Sequence, residues 1–136
     1  MSEENVELIR TAYDAFNRGD FEWLLERTSP EIEFNTRAEA PDLPRAIRGK
    51  SEIRRLFSEW FVGPWEGGLR QEVERIHDLG DDRVLGLVTF RGRGKGSGID
   101  VEVRYAHIFT LRNGIVTHIE GFLSWERALE AAGLSE

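Results

Sequence analysis

The sequence predicts an α+β fold in which helices come first and a long, curved, mostly antiparallel sheet comes last. Three observations predict it. Apolar stripes with helical spacing occupy residues 3–17 and 51–61, with a short helix between them. Runs that alternate with period 2 dominate residues 69–123, and tight-turn signals separate those runs. Helices and strands segregated along a chain pack as helices against one face of a sheet. Three helices closing a curved sheet enclose a cone, and a cone leaves a cavity at its open end.

The elements follow in order. Residues 3–17 carry Val6, Ile9, Tyr13 and Phe16 at i, i+3, i+7 and i+10, behind Ser2, Glu3 and Glu4, which suit a helix N-terminus. "NRGD" at 17–20 breaks this helix, with Gly19 as its stop and Asp20 as the cap of a shorter one bearing Phe21, Trp23, Leu24 and Leu25. Ser29-Pro30 closes that helix, and "EIEFNT" at 31–36 alternates as a strand with Ile32 and Phe34 on one face. Residues 37–50 hold Pro41, Pro44 and Gly49 and read as an irregular connection. Ser51 is the expected cap of a strongly amphipathic helix with Ile53, Leu56, Phe57, Trp60 and Phe61 on one face, ended by Gly63-Pro64. Strands are expected over 69–79, 83–91, 99–111 and 115–123, with turns at "GDD" (80–82) and "NG" (113–114). Ser124 suits the cap of a last short helix, "WERALEAA", stopped by Gly133. No repeat, linker or low-complexity segment interrupts the chain, which reads as one domain over 1–136.

Composition narrows the function. The chain has 136 residues, 40% hydrophobic and 32% charged, an ordinary balance for a folded soluble domain. No apolar run reaches the roughly 18 residues that span a bilayer, and the acidic N-terminus lacks a secretory pattern. With no cysteine, thiolate nucleophiles, disulfides and Cys-based zinc sites are excluded. A cytoplasmic protein without membrane attachment is expected. The net charge of −7 opposes binding to nucleic acid, because phosphate repulsion must first be overcome. The one basic stretch, "RGRGKGSG" at 91–98, matches no phosphate-binding glycine motif and lies between two strands, so it reads as a connection.

One stretch carries the chemistry. In "VEVRYAHIFTLRNG" (101–114), Val101, Val103, Tyr105, Phe109 and Leu111 share a parity, and His107 sits among them. An ionisable ring on the apolar face of a strand is either a satisfied core histidine or the polar fixture of an internal pocket. Tyr105 has the same facing and the same two readings. His118 and Glu120 fall on the opposite parity from Ile115, Ile119 and Leu123, toward solvent or a subunit contact, and His77 is given no role. With its three histidines facing differently, the chain is expected to hold no metal. Trp60, Phe61, Trp23 and Tyr13 read as core or as the mouth of a pocket, and "VGPWEGG" (62–68) as a surface loop or a lid.

The sequence resembles the SnoaL-like, polyketide cyclase-like family of the nuclear-transport-factor-2-like superfamily. The resemblance is carried by "ENVELIRTAYDAFNRGDFEWLLERTSPEIEF", "RGKSEIRRLFSEWF" and "YAHIFTLRNGIVTHIEGFLSWERALEAAGL", which together run from about residue 4 to 134. It implies a cone-shaped barrel of mixed, mostly antiparallel sheet packed against three helices from the N-terminal half, with a short C-terminal helix. It further implies a largely apolar pocket, no cofactor, and frequently a homodimer through the outer sheet face, with which apolar Ile108, Val116 and Phe122 agree. Relatives include cyclases, isomerases, epoxide hydrolases, dehydratases and members without activity, so the fold does not fix the chemistry. The position of the isomerase base is Thr36, which is no carboxylate. The isomerase oxyanion tyrosine aligns near Ala12, one residue before Tyr13. The position of the second, protonated aspartate is His107, and the epoxide-hydrolase arginine corresponds to Tyr105. The resemblance therefore implies a pocket for a small apolar molecule lined by Tyr13, Phe16, Phe34, Thr36, Trp60, Tyr105 and Ile119, with His107 as anchor or acid–base group. Two readings stay open: an isomerase, cyclase or dehydratase type of enzyme, or a noncatalytic dimeric binding or interaction module.

Overall fold

The computed structural model describes residues 2–36 and 46–134. Helix α1 spans Ser2–Arg18 and α2 spans Phe21–Glu26. Strand β1 spans Thr28–Thr36, β2 Ala46–Arg48 and helix α3 Lys50–Leu56, which runs on as a π-helical turn over Phe57–Val62. Strands β3 (Arg70–Gly80), β4 (Arg83–Arg93), β5 (Asp100–Arg112) and β6 (Ile115–Phe122) follow, and α4 (Trp125–Ala131) closes the chain. The six strands form one open sheet in the order β2-β1-β6-β5-β4-β3. Only β1 and β6 run parallel, so the sheet is mixed and mostly antiparallel, as expected.

The local signals act where they were read. Gly19 takes φ +77, and the Asp20 carboxylate accepts the Trp23 amide at 3.3 Å to cap α2. Ser124 caps α4 by accepting the Arg127 amide at 3.2 Å. Asn113 and Gly114 both take positive φ, which a tight hairpin turn of this twist requires. Three local expectations are corrected. Strand β1 begins at Thr28, because Thr28 already pairs with Val116 of β6. The connection read as irregular contains β2, which pairs with β1 at Glu33, Phe34 and Asn35; residues 37–45 lie outside those described. The cap of α3 is Gly49 rather than Ser51, since the Gly49 amide still bonds Ile32 O at 2.9 Å and the helix starts directly from that strand pairing.

Side chains sort by face. The inner face carries Ile32, Phe34, Val84, Val88, Tyr105, Phe109 and Leu111 against Ile9 and Tyr13 of α1, Leu25 of α2, and Ile53 and Leu56 of α3. The outer face carries Leu85, Leu87, Ala106, Ile108 and Phe122 beneath Ala128 and Leu129 of α4. The Trp125 indole N–H pins α4 by donating to Tyr105 O at 2.9 Å and Val88 O at 3.2 Å. Ile108 and Phe122 are thus covered by the chain's own last helix, and Val116 belongs to the inner cluster. These three positions, expected to mark a dimer face, are already used within one chain. Farther along the same strands the outer face is charged, with Arg91 bridging Glu72 (2.7 Å) and Glu102 (3.0 Å). The glycine-rich stretch is the β4–β5 connection. Backbone bonds tie it to the loop before β3, Lys95 N to Pro64 O at 2.9 Å and Glu66 N to Arg93 O at 2.8 Å. Among the described residues, no helix is long and apolar enough to cross a membrane.

Candidate functional site

His107 lies mid-strand on the inner face, in a row that crosses the sheet. The row runs Thr36, Gly121, His107, Gly86, Ile76 through the pairings of β1, β6, β5, β4 and β3. A glycine therefore flanks the imidazole on each neighbouring strand. Both glycines are needed for space. A Cβ on Gly86 would run into the Tyr13 hydroxyl, and a Cβ on Gly121 into the Tyr105 hydroxyl. Two tyrosine side chains thus reach over the strands beside the histidine, one from α1 and one from β5 itself.

The Tyr13 hydroxyl meets His107 Nδ1 at 2.9 Å. Rings of Tyr13, Phe34, Phe90, Tyr105 and Phe109 surround the imidazole at centroid distances of 5.0–6.4 Å. His107 is 6% exposed, and burial in this aromatic shell pushes its pKa down to about 3, so the ring is neutral at physiological pH. Burial pushes the Tyr13 phenol well above its usual range, assisted by the neighbouring Tyr105, and burial likewise raises Tyr105. Two neutral groups share the bond. A buried phenol O–H needs an acceptor, and Nδ1 offers one in the tautomer that carries the ring proton on Nε2.

A cavity of about 90 Å³ opens between α1, α2, α3 and the inner face of the sheet. Its wall is mostly apolar, and no carboxylate belongs to it among the described residues. Of the residues that the sequence singled out, Tyr13, Phe16, Trp23, Phe34, Phe61 and Ile119 line it together with His107. Tyr105 stands behind His107 rather than at the wall, stacked on Phe90 at 4.8 Å. Trp60 is not at the wall either. The π-helical turn spaces its backbone bonds at i→i+5, as from Gly63 N to Ser58 O at 2.9 Å, and from this turn Phe61, which the sequence reading named for the pocket mouth, and Phe57, which it did not, reach the cavity. Of Thr36 only the backbone is described, paired with Gly121; its side chain lies outside the described residues.

Three polar residues of the wall, Arg27, Thr28 and Gln71, escaped the sequence reading. Arg27, at the end of α2, sits 3.9 Å over the Trp23 ring, with its side chain about one-third exposed. Gln71 of β3 is 6% exposed, and its Oε1 is buried without a hydrogen-bond partner among the described residues. Its backbone is gripped by Asn17, whose Nδ2 donates to Gln71 O at 2.9 Å and whose Oδ1 accepts from Gln71 N at 2.8 Å. A signal existed. Leu69, Gln71 and Val73 alternate as Tyr105, His107 and Phe109 do, with a polar residue on the apolar parity. His118 is exposed, and His77 pairs with Leu85, whose side chain belongs to the outer face. Among the described residues no three His, Asp or Glu side chains converge as metal ligands would.

The SnoaL-like domain model matches residues 9–119 of the chain. No curated protein matches it. Several solved structures share its fold. TerC, co-crystallized with polyporic acid, is 22% identical over 95% of this chain and 98% of its own, with a TM-score of 0.75. A nuclear-transport-factor-2-like protein from Burkholderia thailandensis is 27% identical over 87% of this chain and 88% of its own, with a TM-score of 0.70. A candidate SnoaL-like polyketide cyclase from Shewanella putrefaciens is 16% identical over 88% of both chains, with a TM-score of 0.72.

Proposed function

Because the chain belongs to the SnoaL-like domain family, we propose that it binds a small, mainly apolar molecule bearing a carbonyl group, with neutral His107 as the polar anchor. The observation that carries this reading is the hydrogen bond from Tyr13 to His107 Nδ1 at the wall of an apolar cavity. With Nδ1 occupied, Nε2–H is a fixed donor, and a ligand carbonyl is its natural acceptor. Tyr13, Phe16, Phe34 and Ile119 supply apolar contact around it. TerC was co-crystallized with polyporic acid, and occupation by an organic molecule is the feature that this cavity would share with it. A cavity of about 90 Å³ is smaller than the ~150 Å³ that holds a benzene ring in an engineered core, so ligand admission displaces part of the wall. The Phe57 and Phe61 rings on the π-helical turn are the parts placed to yield.

The Tyr13–His107 pair also favours a second reading, a cofactor-independent isomerase, cyclase or dehydratase type of enzyme. In it the pair polarises the carbonyl as a neutral donor. A ring titrating near 3 is a poor general base at neutral pH, and the described wall lacks a carboxylate to take its place, so binding is the reading placed first. Cytoplasmic residence belongs to the same proposal, and the cysteine-free composition agrees with it. A homodimer across the outer face would engage the charged columns around Arg91, because α4 covers the apolar part.

Calorimetric titration with acetophenone and with ethylbenzene, its analogue of similar shape without the carbonyl, tests the anchor. One buried hydrogen bond predicts roughly tenfold tighter binding of acetophenone, lost in His107→Phe. Equal affinity for both ligands, or a preference that survives the substitution, contradicts the reading.

A further inference from the structure

We propose that Gln71 is a second polar anchor in the same cavity, so that the ligand carries two functions: a carbonyl for His107 and a hydroxyl that donates to Gln71 Oε1. This rests on the cavity being the ligand site, and it names the class of ligand more closely.

The side chain of Gln71 has no structural task that the backbone does not already meet. The strand is held at this point by the pairing of Gln71 with Phe90 and by both bonds from Asn17. The neighbours of the same parity, Leu69 and Val73, are apolar. A leucine at 71 would continue that row. Instead a primary amide is buried at the cavity wall with its oxygen unpartnered among the described residues, an arrangement that is unfavourable for folding. His77 Nε2 is also buried without a partner among the described residues, but it does not line the cavity; at Gln71 the unpartnered oxygen calls for an explanation, and a ligand hydroxyl supplies one.

The geometry sets the two anchors apart. Gln71 lies opposite Phe90, Phe90 lies opposite Val103, and Val103 is four residues from His107 along β5, roughly 13 Å on an extended strand. Strand β4 lies between the two anchoring strands. Both anchors are gripped from α1, His107 by Tyr13 and the Gln71 backbone by Asn17, one helical turn apart at i and i+4. A ligand engaging both therefore lies along α1 with its ketone and its hydroxyl at opposite ends of a flat or elongated apolar body. A hydroxylated aromatic ketone has this character.

The test compares acetophenone, 4-hydroxyacetophenone and 4-methoxyacetophenone by calorimetric titration of the wild type, Gln71→Leu and Gln71→Met. In the wild type the hydroxyl is expected to tighten binding roughly tenfold over acetophenone, and the methoxy group, which has no proton to donate, gives no gain. In both variants the hydroxyl gain over acetophenone disappears, while acetophenone keeps its preference over ethylbenzene. Thermal unfolding of Gln71→Leu is expected at or above the wild-type temperature. A hydroxyl gain that is absent, or that persists in both variants, overturns the proposal. A marked fall in the unfolding temperature of both variants also overturns it, since the amide would then be structural. If acetophenone fails to bind more tightly than ethylbenzene, the carbonyl reading itself has failed. If that preference holds while the hydroxyl gain is missing, only the Gln71 anchor has failed.

Discussion

His107 is a histidine that its surroundings keep uncharged. Five aromatic rings and a phenol O–H replace water around it, and none of them compensates a positive charge. The pH dependence follows with a definite sign. In the unfolded chain the ring titrates near the ordinary value of 6.5, and in the folded chain near 3, so between those values the unfolded state binds more protons. The contribution of this ring is fully present above about pH 6.5 and is lost as pH falls toward 3. Urea unfolding at a series of pH values should show the wild type losing stability more steeply than His107→Gln below pH 6.5. The difference in slope approaches about 1.4 kcal/mol per pH unit, the limit for one proton. Parallel curves for the two proteins would mean that the ring protonates as easily folded as unfolded. The inward facing of His107 was legible in the sequence because a polar residue broke an apolar parity. The two glycines beside it were not, because which strands flank β5, and in what register, is fixed only by the assembled sheet.

Helix α1 is the element that organises the site. Its Ile9, Tyr13 and Phe16 stripe packs inward as the spacing predicts, and one turn of it, Tyr13 to Asn17, holds β5 and β3 together from inside. Asn17 was read only as part of a helix-breaking motif, yet its amide replaces ladder partners that the edge strand β3 lacks on its open side. Replacement by alanine removes two hydrogen bonds worth about 1 kcal/mol each. Asn17→Ala should therefore lower the free energy of urea unfolding by about 2 kcal/mol and weaken ligands that use Gln71 more than those that use His107 alone. A loss below about 0.5 kcal/mol would mean that the clamp is not a stabilising contact. Caps and tight turns were legible because each is a local matter of one or two residues, as at Gly19, Asp20, Asn113 and Ser124. Strand β2 was not, since three residues without alternation become a strand only beside β1. The π-helical turn was not legible either. Its apolar stripe fits an α-helix equally well, and what distinguishes the two is the i→i+5 bonding, as from Gly63 N to Ser58 O, which no apolar spacing reveals.

At the scale of the molecule, one sheet serves two cores. The inner face closes over the cavity with three helices, and the outer face is shared between α4 and a charged lattice. The α+β class and the order of elements were legible because helical spacing dominates residues 3–61, interrupted by the strand at 31–36, and strand spacing dominates residues 69–123. The division of the outer face was not. Apolar residues on both parities of β5 and β6 announce a covered second face without saying what covers it. In the proposed function His107 is neutral, hydrogen-bonded at Nδ1, and open to a ligand at Nε2. Nitrogen NMR of the imidazole, recorded from pH 5 to 8 with and without acetophenone, tests all three parts at once. An Nε2–H tautomer is expected that does not titrate across that range and whose Nε2 resonance moves when the ketone is added. A ring that titrates in that range, or one that stays unmoved at ketone concentrations that saturate the protein, would contradict it.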